Sequence, residues 1–196
     1  MVIGIAGGVG SGKSTVLDIL KKQYGAYICM ADELGHRAMD KGTEPYEKIR
    51  KEFGTGILCG EGEIDREALA QIVYRDAGKL EVLNEIIHPY VKDEIRRKIR
   101  KYADDRIFVL ETAILFETGC NELCDQIWGV ITENEIRIRR LMKSRGYTKE
   151  KAESIMKKQM ENGKLAELCD CVIVNDGDME ELSYQIKEQM ENILEK

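Results

Sequence analysis

The feature that most constrains this chain is a short glycine-rich segment close to its start. Residues 7–14 read Gly-Gly-Val-Gly-Ser-Gly-Lys-Ser and match G-x-x-x-x-G-K-[ST] at every fixed position. The segment follows an apolar run, 2–6, that is typical of a buried parallel strand, and it precedes a helical pattern at 14–24. Glycines let the backbone wrap a phosphate chain, while successive N–H groups and a helix N-terminus attract its charge. The segment predicts a site for a nucleoside triphosphate.

Two residues at the end of this segment carry the polar groups that bound phosphates require. The Lys13 ammonium would reach the β- and γ-phosphates, and the Ser14 hydroxyl would ligate Mg²⁺. The alternative, a glycine-rich turn with a stray lysine, does not account for the position between strand and helix. The residues predicted to bind ATP here are Gly8, Val9, Gly10, Ser11, Gly12, Lys13, Ser14 and Thr15.

Apolar runs alternate with helical patterns along the chain. Strands are predicted at 2–6, 26–29, 107–110, 127–131 and 171–174. Helices are predicted at 14–24, from about 32, from Thr43 and Pro45 to the stop at Gly54, at 66–103 with a break at His88-Pro89, at 134–145, at 148–161 and from Gly177 to Lys196. Residues 54–62 are predicted to form a glycine-rich loop. This alternation indicates a parallel sheet covered by helices on both faces.

The predicted fold class is α/β, with the three-layer α/β/α arrangement and parallel sheet of the P-loop NTPases. The chain of 196 residues would form one domain. Its core would comprise about 1–32, 104–133 and 166–196. Residues 33–103 would form a helical lobe that binds the acceptor, that is, the substrate to which a group is transferred. Residues 134–165 would form a helical lid.

Composition and charge exclude several other classes. The net charge of −6 argues against a general nucleic-acid binder. No run approaches the roughly 18 apolar residues that a membrane span needs. Residues 1–12 lack a basic flank, and glycines interrupt their apolar run, so neither a signal peptide nor a transit peptide is predicted. A cytoplasmic protein with no nucleic-acid and no membrane partner is expected.

The six cysteines raise the question of a disulfide or zinc site. They are Cys29, Cys59, Cys120, Cys124, Cys169 and Cys171. No two form a C-x-x-C pair, and a reducing compartment is expected. Buried free thiols are therefore favoured over a four-thiolate metal site.

The remaining motifs narrow the class of nucleotide-binding protein. The tetrapeptide Asn-Lys-x-Asp, with which GTPases bind guanine, does not occur, and a motor or AAA-type ATPase would need more chain. A small kinase remains, in which a lid excludes water. Residues 137–145 contain five basic residues in nine and no acid, as expected for a phosphate clamp in such a lid. A second basic run, 92–101, has the spacing of an amphipathic helix with a solvated face, although contact with substrate stays open.

Further residues, in order along the chain, make it resemble the dephospho-CoA kinase family. The resemblance covers about residues 3–177. The residues that carry it, besides the phosphate loop, are Ala31-Asp32, His36, Gly42, Ile49, Phe53-Gly54, Ile64-Asp65-Arg66, Leu69-Ala70, Ile87-His88-Pro89, Leu115-Phe116-Glu117, Arg140-Leu-Met142, Gln159, Asp170, Val172-Ile173 and Asn175. The family phosphorylates the ribose 3′-hydroxyl of dephospho-coenzyme A with ATP, in the last step of coenzyme A synthesis.

The resemblance implies an in-line phosphoryl transfer with three catalytic residues. Lys13 would neutralise phosphate charge, Asp32 would accept the hydroxyl proton, and Arg140 would stabilise transition-state charge from the lid. Mg²⁺ would be held by Ser14, with support from Glu111 through a water. Asp32 could instead serve only as a helix N-cap, a position that suits aspartate.

The acceptor-binding residues implied by the resemblance are Asp32, His36, His88, Leu115 and Glu117. Two of them also have a simpler interpretation. His88, before a proline, could only mark a helix break, and Glu117 could be a surface carboxylate.

Asn175 is expected to touch the adenine end of ATP. Four other positions of the chain depart from the family pattern. The family usually has Asp where Glu111 stands, Pro at Ala113, Arg near Ile155 and Asp at Val174. The last two departures weaken the assignment of nucleotide contacts in their regions.

Two other functions remain open. One is a different small-molecule kinase, acting on nucleosides, nucleotides or shikimate, and the other is a nucleotide-binding regulator without turnover. The expected partners are the small molecules ATP and dephospho-CoA, and the chain is expected to be a monomer or a weak homo-oligomer.

Overall fold

A five-stranded parallel sheet carries the fold, in the strand order β2-β3-β1-β4-β5. It is seen in a computed structural model that describes residues 1–112 and 114–194. The strands are β1 (Val2–Ala6), β2 (Tyr27–Met30), β3 (Phe108–Glu111), β4 (Gln126–Ile131) and β5 (Cys171–Val174). Each predicted strand is confirmed to within one residue at either end, because parallel strands buried on both faces give uninterrupted apolar runs.

Helices alternate with the strands along the chain, as predicted. They are α1 (Lys13–Tyr24), α2 (Ala31–Ala38), α3 (Glu44–Phe53), α4 (Arg66–Arg75), α5 (Ala77–Tyr102), α6 (Asn134–Arg145), α7 (Lys149–Met156), α8 (Asn162–Leu168) and α9 (Met179–Leu194). The predicted helix at 148–161 is too long: α7 ends at Met156, and the separate α8 was not predicted. The last two residues of the predicted final helix, Glu195 and Lys196, lie outside the described residues, as does Ala113.

The helix break predicted at His88-Pro89 is wrong, because α5 continues through Pro89. Proline lacks the N–H that would bond the preceding turn, but its fixed φ is compatible with a helix. Leu83 before the proline and Ile95 after it are both buried, so packing on either side offsets the lost bond. The break lies at Asp76 instead, whose Oδ1 accepts a hydrogen bond from Lys79 N at 3.1 Å and caps α5.

The chain divides into two compact units. The first combines Met1–Cys29 with Lys101–Lys196, and the second is Met30–Arg100. The first unit has its core on the sheet, where the largest side chains without solvent contact include Ile3, Ile5, Phe108, Leu110 and Trp128.

Two glycines of the sheet lie against cysteine thiols. A Cβ atom built on Gly4 of β1 would lie 2.8 Å from Cys124 Sγ, and one on Gly129 of β4 would lie 2.9 Å from Cys169 Sγ. All six cysteines are thiols, and none of them forms a disulfide. The thiols thus fill space that glycines leave in neighbouring strands.

The second unit has a small core of its own. Its buried members are Tyr46, Ile49, Ile57, Ile64, Leu69 and Leu83. As predicted, α3 begins after Thr43, whose Oγ1 accepts from Tyr46 N at 3.1 Å, and ends before Gly54. The loop predicted at 54–62 contains a 3₁₀ turn, Thr55–Ile57. The roles assigned to 33–103 and 134–165, acceptor binding and lid, stay predictions.

The helices can also be compared with the length and hydropathy that a membrane span requires. Within the described part of the chain, none is both long and apolar enough to cross a bilayer.

Candidate active site

The glycine-rich loop joins the carboxyl end of β1 to the start of α1, as the sequence predicts. Gly10 and Gly12 adopt φ angles of 78° and 89°, which side-chain-bearing residues rarely tolerate. Ser11 N donates to Gly8 O at 3.2 Å, and Thr15 N donates to Gly12 O at 3.0 Å as the helix begins. The loop therefore has the wrapped backbone that a phosphate chain needs.

Lys13 folds back along this loop. Its Nζ donates to Gly7 O at 2.8 Å and lies 3.6 Å from Glu111 Oε1. Glu111 is the last residue of β3 and pairs in register with Ile5 of β1. The ammonium is thus held beside the loop, at the position from which the motif requires it to act.

The carbonyl of Ser11 is fixed from the ends of β4 and β5. It accepts a hydrogen bond from Asn175 Nδ2 at 2.8 Å, and the Thr132 hydroxyl lies 3.0 Å from it. The same hydroxyl lies 3.1 Å from Asn175 O. Asn175 is buried, and its side chain holds the loop through this contact. Its predicted contact with adenine stays a prediction. The Ser11 hydroxyl is buried and finds no partner among residues 1–112 and 114–194.

Two arginines of α6 contact the backbone around the loop. Arg140 Nη2 donates to Asn175 O at 3.0 Å, and Nη1 lies 3.5 Å from Ser11 O. Arg137 Nε donates to Val9 O at 2.9 Å. The other basic residues of the run 137–145, Arg139, Lys143 and Arg145, are exposed.

Sequence reasoning singled out Arg140 of this run but not Arg137. The signal that could have found Arg137 is its spacing. It lies three residues before Arg140 and four before the buried Leu141, so all three share one face of the helix.

A cavity of about 200 Å³ opens beside the loop. Its lining residues are Ala6, Gly7, Gly8, Thr112, Ile114, Leu115, Phe116, Glu117, Lys158, Gln159, Met160 and Leu165. Two of the predicted acceptor-binding residues, the buried Leu115 and the exposed Glu117, are therefore brought next to the glycine-rich loop. A larger, open depression of about 740 Å³ lies at the amino ends of β1 and β3, and it contains none of the predicted site residues.

Three other predicted site residues belong to the second unit. Asp32 is exposed in the first turn of α2, where a carboxylate is favoured by the helix dipole. The N-cap interpretation of Asp32 is wrong, because α2 begins after Met30 and makes no side-chain cap hydrogen bond. His36 is exposed in the last turn of α2.

His88 is half-buried within α5 rather than at a helix break. Partial burial lowers the pKa of His88 below the ordinary histidine value, because the charged form is poorly solvated there. The neutral imidazole, able both to donate and to accept a hydrogen bond, is favoured at neutral pH.

A metal ion at this site would have few protein ligands. No group of three or more His, Cys, Asp or Glu side chains within the described ranges could hold a metal ion. Mg²⁺ does not need such a group, since it is commonly bound through one or two protein ligands, phosphates and waters. The exposed Ser14 hydroxyl at the start of α1 and the Glu111 carboxylate at the end of β3 suit that requirement.

Comparisons with known proteins agree on one family. The family model described as dephospho-CoA kinase matches residues 1–181. The chain is 39% identical to the dephospho-CoA kinase of Aquifex aeolicus, over 97% of this chain and 96% of that protein. It is 38% identical to the dephospho-CoA kinase of Carboxydothermus hydrogenoformans, over 94% of this chain and 90% of that protein.

A solved structure shows the same fold. The dephospho-CoA kinase from Campylobacter jejuni superposes with a TM-score of 0.74, covering 98% of this chain and 96% of that one at 22% identity. The family model and the sequence relatives name the same family, and the solved structure has the same fold. The chain belongs to the dephospho-CoA kinase family.

Proposed function

We propose that the protein transfers the γ-phosphoryl group of ATP to the ribose 3′-hydroxyl of dephospho-coenzyme A, giving coenzyme A and ADP. The observation that carries the proposal is the cavity shared by the glycine-rich loop and the residues Leu115 and Glu117. It offers an acceptor a place next to the loop that would hold the phosphates. Membership of the family supports the choice of acceptor.

Phosphoryl transfer leaves the protein to position the groups and to neutralise charge. Lys13 would exchange the Gly7 carbonyl for the β- and γ-phosphate oxygens, with the glycine-rich loop wrapped around the chain. Arg140 would stabilise the charge that develops during transfer, and Asn175 would hold the adenine end. In both cases the side chain starts from contacts with the loop carbonyl of Ser11.

Asp32 would orient the acceptor hydroxyl and take its proton. It follows the carboxyl end of β2 by two residues, and in open α/β sheets ligands bind outside the carboxyl ends of the strands. The exposed carboxylate can accept a hydrogen bond from a hydroxyl. His36, His88, Leu115 and Glu117 would complete the acceptor site.

Mg²⁺ would bind through the Ser14 hydroxyl, with Glu111 acting through a water. When bound, the ion neutralises charge on the β- and γ-phosphate oxygens. Glu111 already orients Lys13 without the ion, which is the part of its role that belongs to the protein itself. We further propose that the enzyme acts in the cytoplasm as a monomer or weak homo-oligomer.

The experiment is an assay of ADP release with ATP, Mg²⁺ and dephospho-coenzyme A, with the acceptor omitted as control. Mass spectrometry of the product should show one added phosphoryl group. Periodate cleaves the free 2′,3′-diol of dephospho-coenzyme A, so a product whose ribose resists periodate carries the new group on one of these two hydroxyls. ADP release at the acceptor-free rate would overturn the proposal. Shikimate and nucleosides serve as competing acceptors, and faster turnover with one of them would favour a different kinase. Binding of ATP without turnover on any acceptor would favour a regulator.

A further inference from the structure

Arg137 is a cation buried beside the glycine-rich loop without a compensating anion. It is only 3% exposed. Its partners are two neutral oxygens, Val9 O and Gln159 Oε1, each at 2.9 Å, and no carboxylate of the described residues forms an ion pair with it. Burial lowers the pKa of Arg137, because the charged form loses solvation, yet a guanidinium keeps its proton in proteins. Because buried charges are normally paired, the Arg137 guanidinium would be stabilised by an anion, and the described residues do not supply one.

The guanidinium lies directly on the loop backbone. A Cβ atom built on Gly8 would lie 2.7 Å from Arg137 Cζ and 3.0 Å from Gln159 Oε1. A side chain at position 8 would therefore displace the arginine. The glycine there makes room for Arg137 as well as for a phosphate.

Two donors converge on a single oxygen at this point. Val9 N and Arg137 Nη2 both donate to Gln159 Oε1, each at 2.9 Å. One donor is a loop amide of the kind that binds phosphate, and the other is charged. A phosphate oxygen would satisfy this pair better than a neutral amide oxygen does, because hydrogen bonds between two charged groups are the stronger ones.

We infer that Arg137 binds an oxygen of the terminal phosphate of ATP, at the position that Gln159 Oε1 occupies in this structure. The inference rests on the proposed function and adds a phosphate-binding residue to it. The α- and β-phosphates belong to the helix end of such a loop. Val9 lies at the opposite end, and Gly8 and Gln159 line the cavity proposed for the acceptor. The phosphate between loop and acceptor is the one to be transferred.

The first test compares Arg137→Gln with Arg139→Gln, a change of the same kind at an exposed position of α6. Binding of ATP and of ADP is measured by calorimetry without acceptor. Arg137→Gln should lose about 10- to 100-fold in ATP affinity, the range of a charged hydrogen bond, while ADP affinity stays within about threefold. Arg139→Gln should change neither. Equal losses for ATP and ADP, or no loss, would overturn the inference.

The second test does not depend on the folding of the arginine variant. Gln159→Glu places a carboxylate against Arg137 and Val9 N, where it should compete with the terminal phosphate. We expect a fall of at least about tenfold in ATP affinity, a smaller fall for ADP, and a higher melting temperature because the buried cation gains a partner. Gln71→Glu, an exposed change of equal charge on α4, should leave all three unchanged. An ATP affinity of Gln159→Glu within twofold of wild type would contradict the inference.

The two proposals can fail separately. If the variants behave as expected but dephospho-coenzyme A is not phosphorylated, only the proposed acceptor is wrong. If dephospho-coenzyme A is phosphorylated and both variants bind ATP as the wild type does, only the role of Arg137 is wrong.

Discussion

Lys13 and Glu111 form an ion pair across the start of the glycine-rich loop, with Nζ 3.6 Å from Oε1 and side-chain exposures of 15% and 9%. The β1–β3 register places Glu111 beside Ile5, two residues before the loop begins. The sheet therefore fixes the carboxylate, and the carboxylate in turn orients the lysine before any nucleotide binds.

Lys13→Met should abolish transfer and also lower stability. The β- and γ-phosphates lose their cation, and the buried Glu111 loses a neighbouring charge, which costs about 1–3 kcal/mol. The double variant Lys13→Met/Glu111→Gln should regain much of the melting temperature without regaining activity. Lys22→Met, at an exposed position of the same helix, is the control. If a steady-state assay of Lys13→Met gives a kcat above about one tenth of the wild-type value, Lys13 has no part in the mechanism.

Asp32→Asn should lower kcat by about 10²–10⁴-fold, the usual cost of losing a general base. ATP affinity and melting temperature should stay close to wild type, because Asp32 is exposed and does not cap α2. Glu33→Gln, its exposed neighbour, should keep normal turnover. Normal turnover of Asp32→Asn would show that the hydroxyl proton leaves by another route.

Thr132→Val should loosen the loop, because it removes the hydroxyl between the carbonyls of Ser11 and Asn175. The hydroxyl has a single proton, so one of the two carbonyls loses a donor, while Asn175 Nδ2 and Arg140 still donate to them. The free energy of unfolding should therefore fall by about 0.5–1.5 kcal/mol, the net value of one hydrogen bond. The KM for ATP should rise more than kcat falls. Thr132→Ser, which keeps the hydroxyl, should restore both values, and failure of that rescue would assign the effect to packing.

The thiols should differ sharply in reactivity. Burial raises the pKa of Cys124 and Cys171 to about 12 and that of Cys169 to about 11, so these thiols carry almost no thiolate at pH 8. Cys59 is exposed. Titration with a disulfide reagent should give one fast thiol per native chain and six in denaturant. Cys59→Ser should abolish the fast phase, and its persistence would point to an opening of the core.

The sheet could be predicted from sequence because each strand is a short, buried apolar run between polar segments. The helix boundaries were harder. Pro89 indicates a break, but the packing of Leu83 and Ile95 overrides it. The true break has a local signal in the sequence, the capping carboxylate of Asp76. At 148–161 the helical pattern continued past Met156, although the chain turns there to bring Gln159 to the loop.

The phosphate loop could be predicted because its function depends on residues adjacent in sequence. Arg137 could not be assigned in the same way. Its role depends on Val9 and Gln159, which lie 128 and 22 residues away along the chain. The helical spacing places Arg137 on the same face of α6 as Leu141 and separates it from the exposed Arg139. It does not indicate what that face contacts, and only the packing of α6 on the loop shows the contact with Val9.

The contacts of Gly4 with Cys124 and of Gly129 with Cys169 bear on how this sequence can diverge. Neither glycine can become alanine while its thiol stays in place, since the new methyl group would lie within 2.9 Å of sulfur. Replacement of the cysteine by a smaller residue would remove that obstacle and open space for the methyl group. Each pair should therefore change in concert among descendants of this chain, with the cysteine substituted first. Consider a chimera that takes β1 or β4 from a relative with alanine in place of Gly4 or Gly129. It will tolerate the exchange only if the residue at position 124 or 169, respectively, is taken from the same relative.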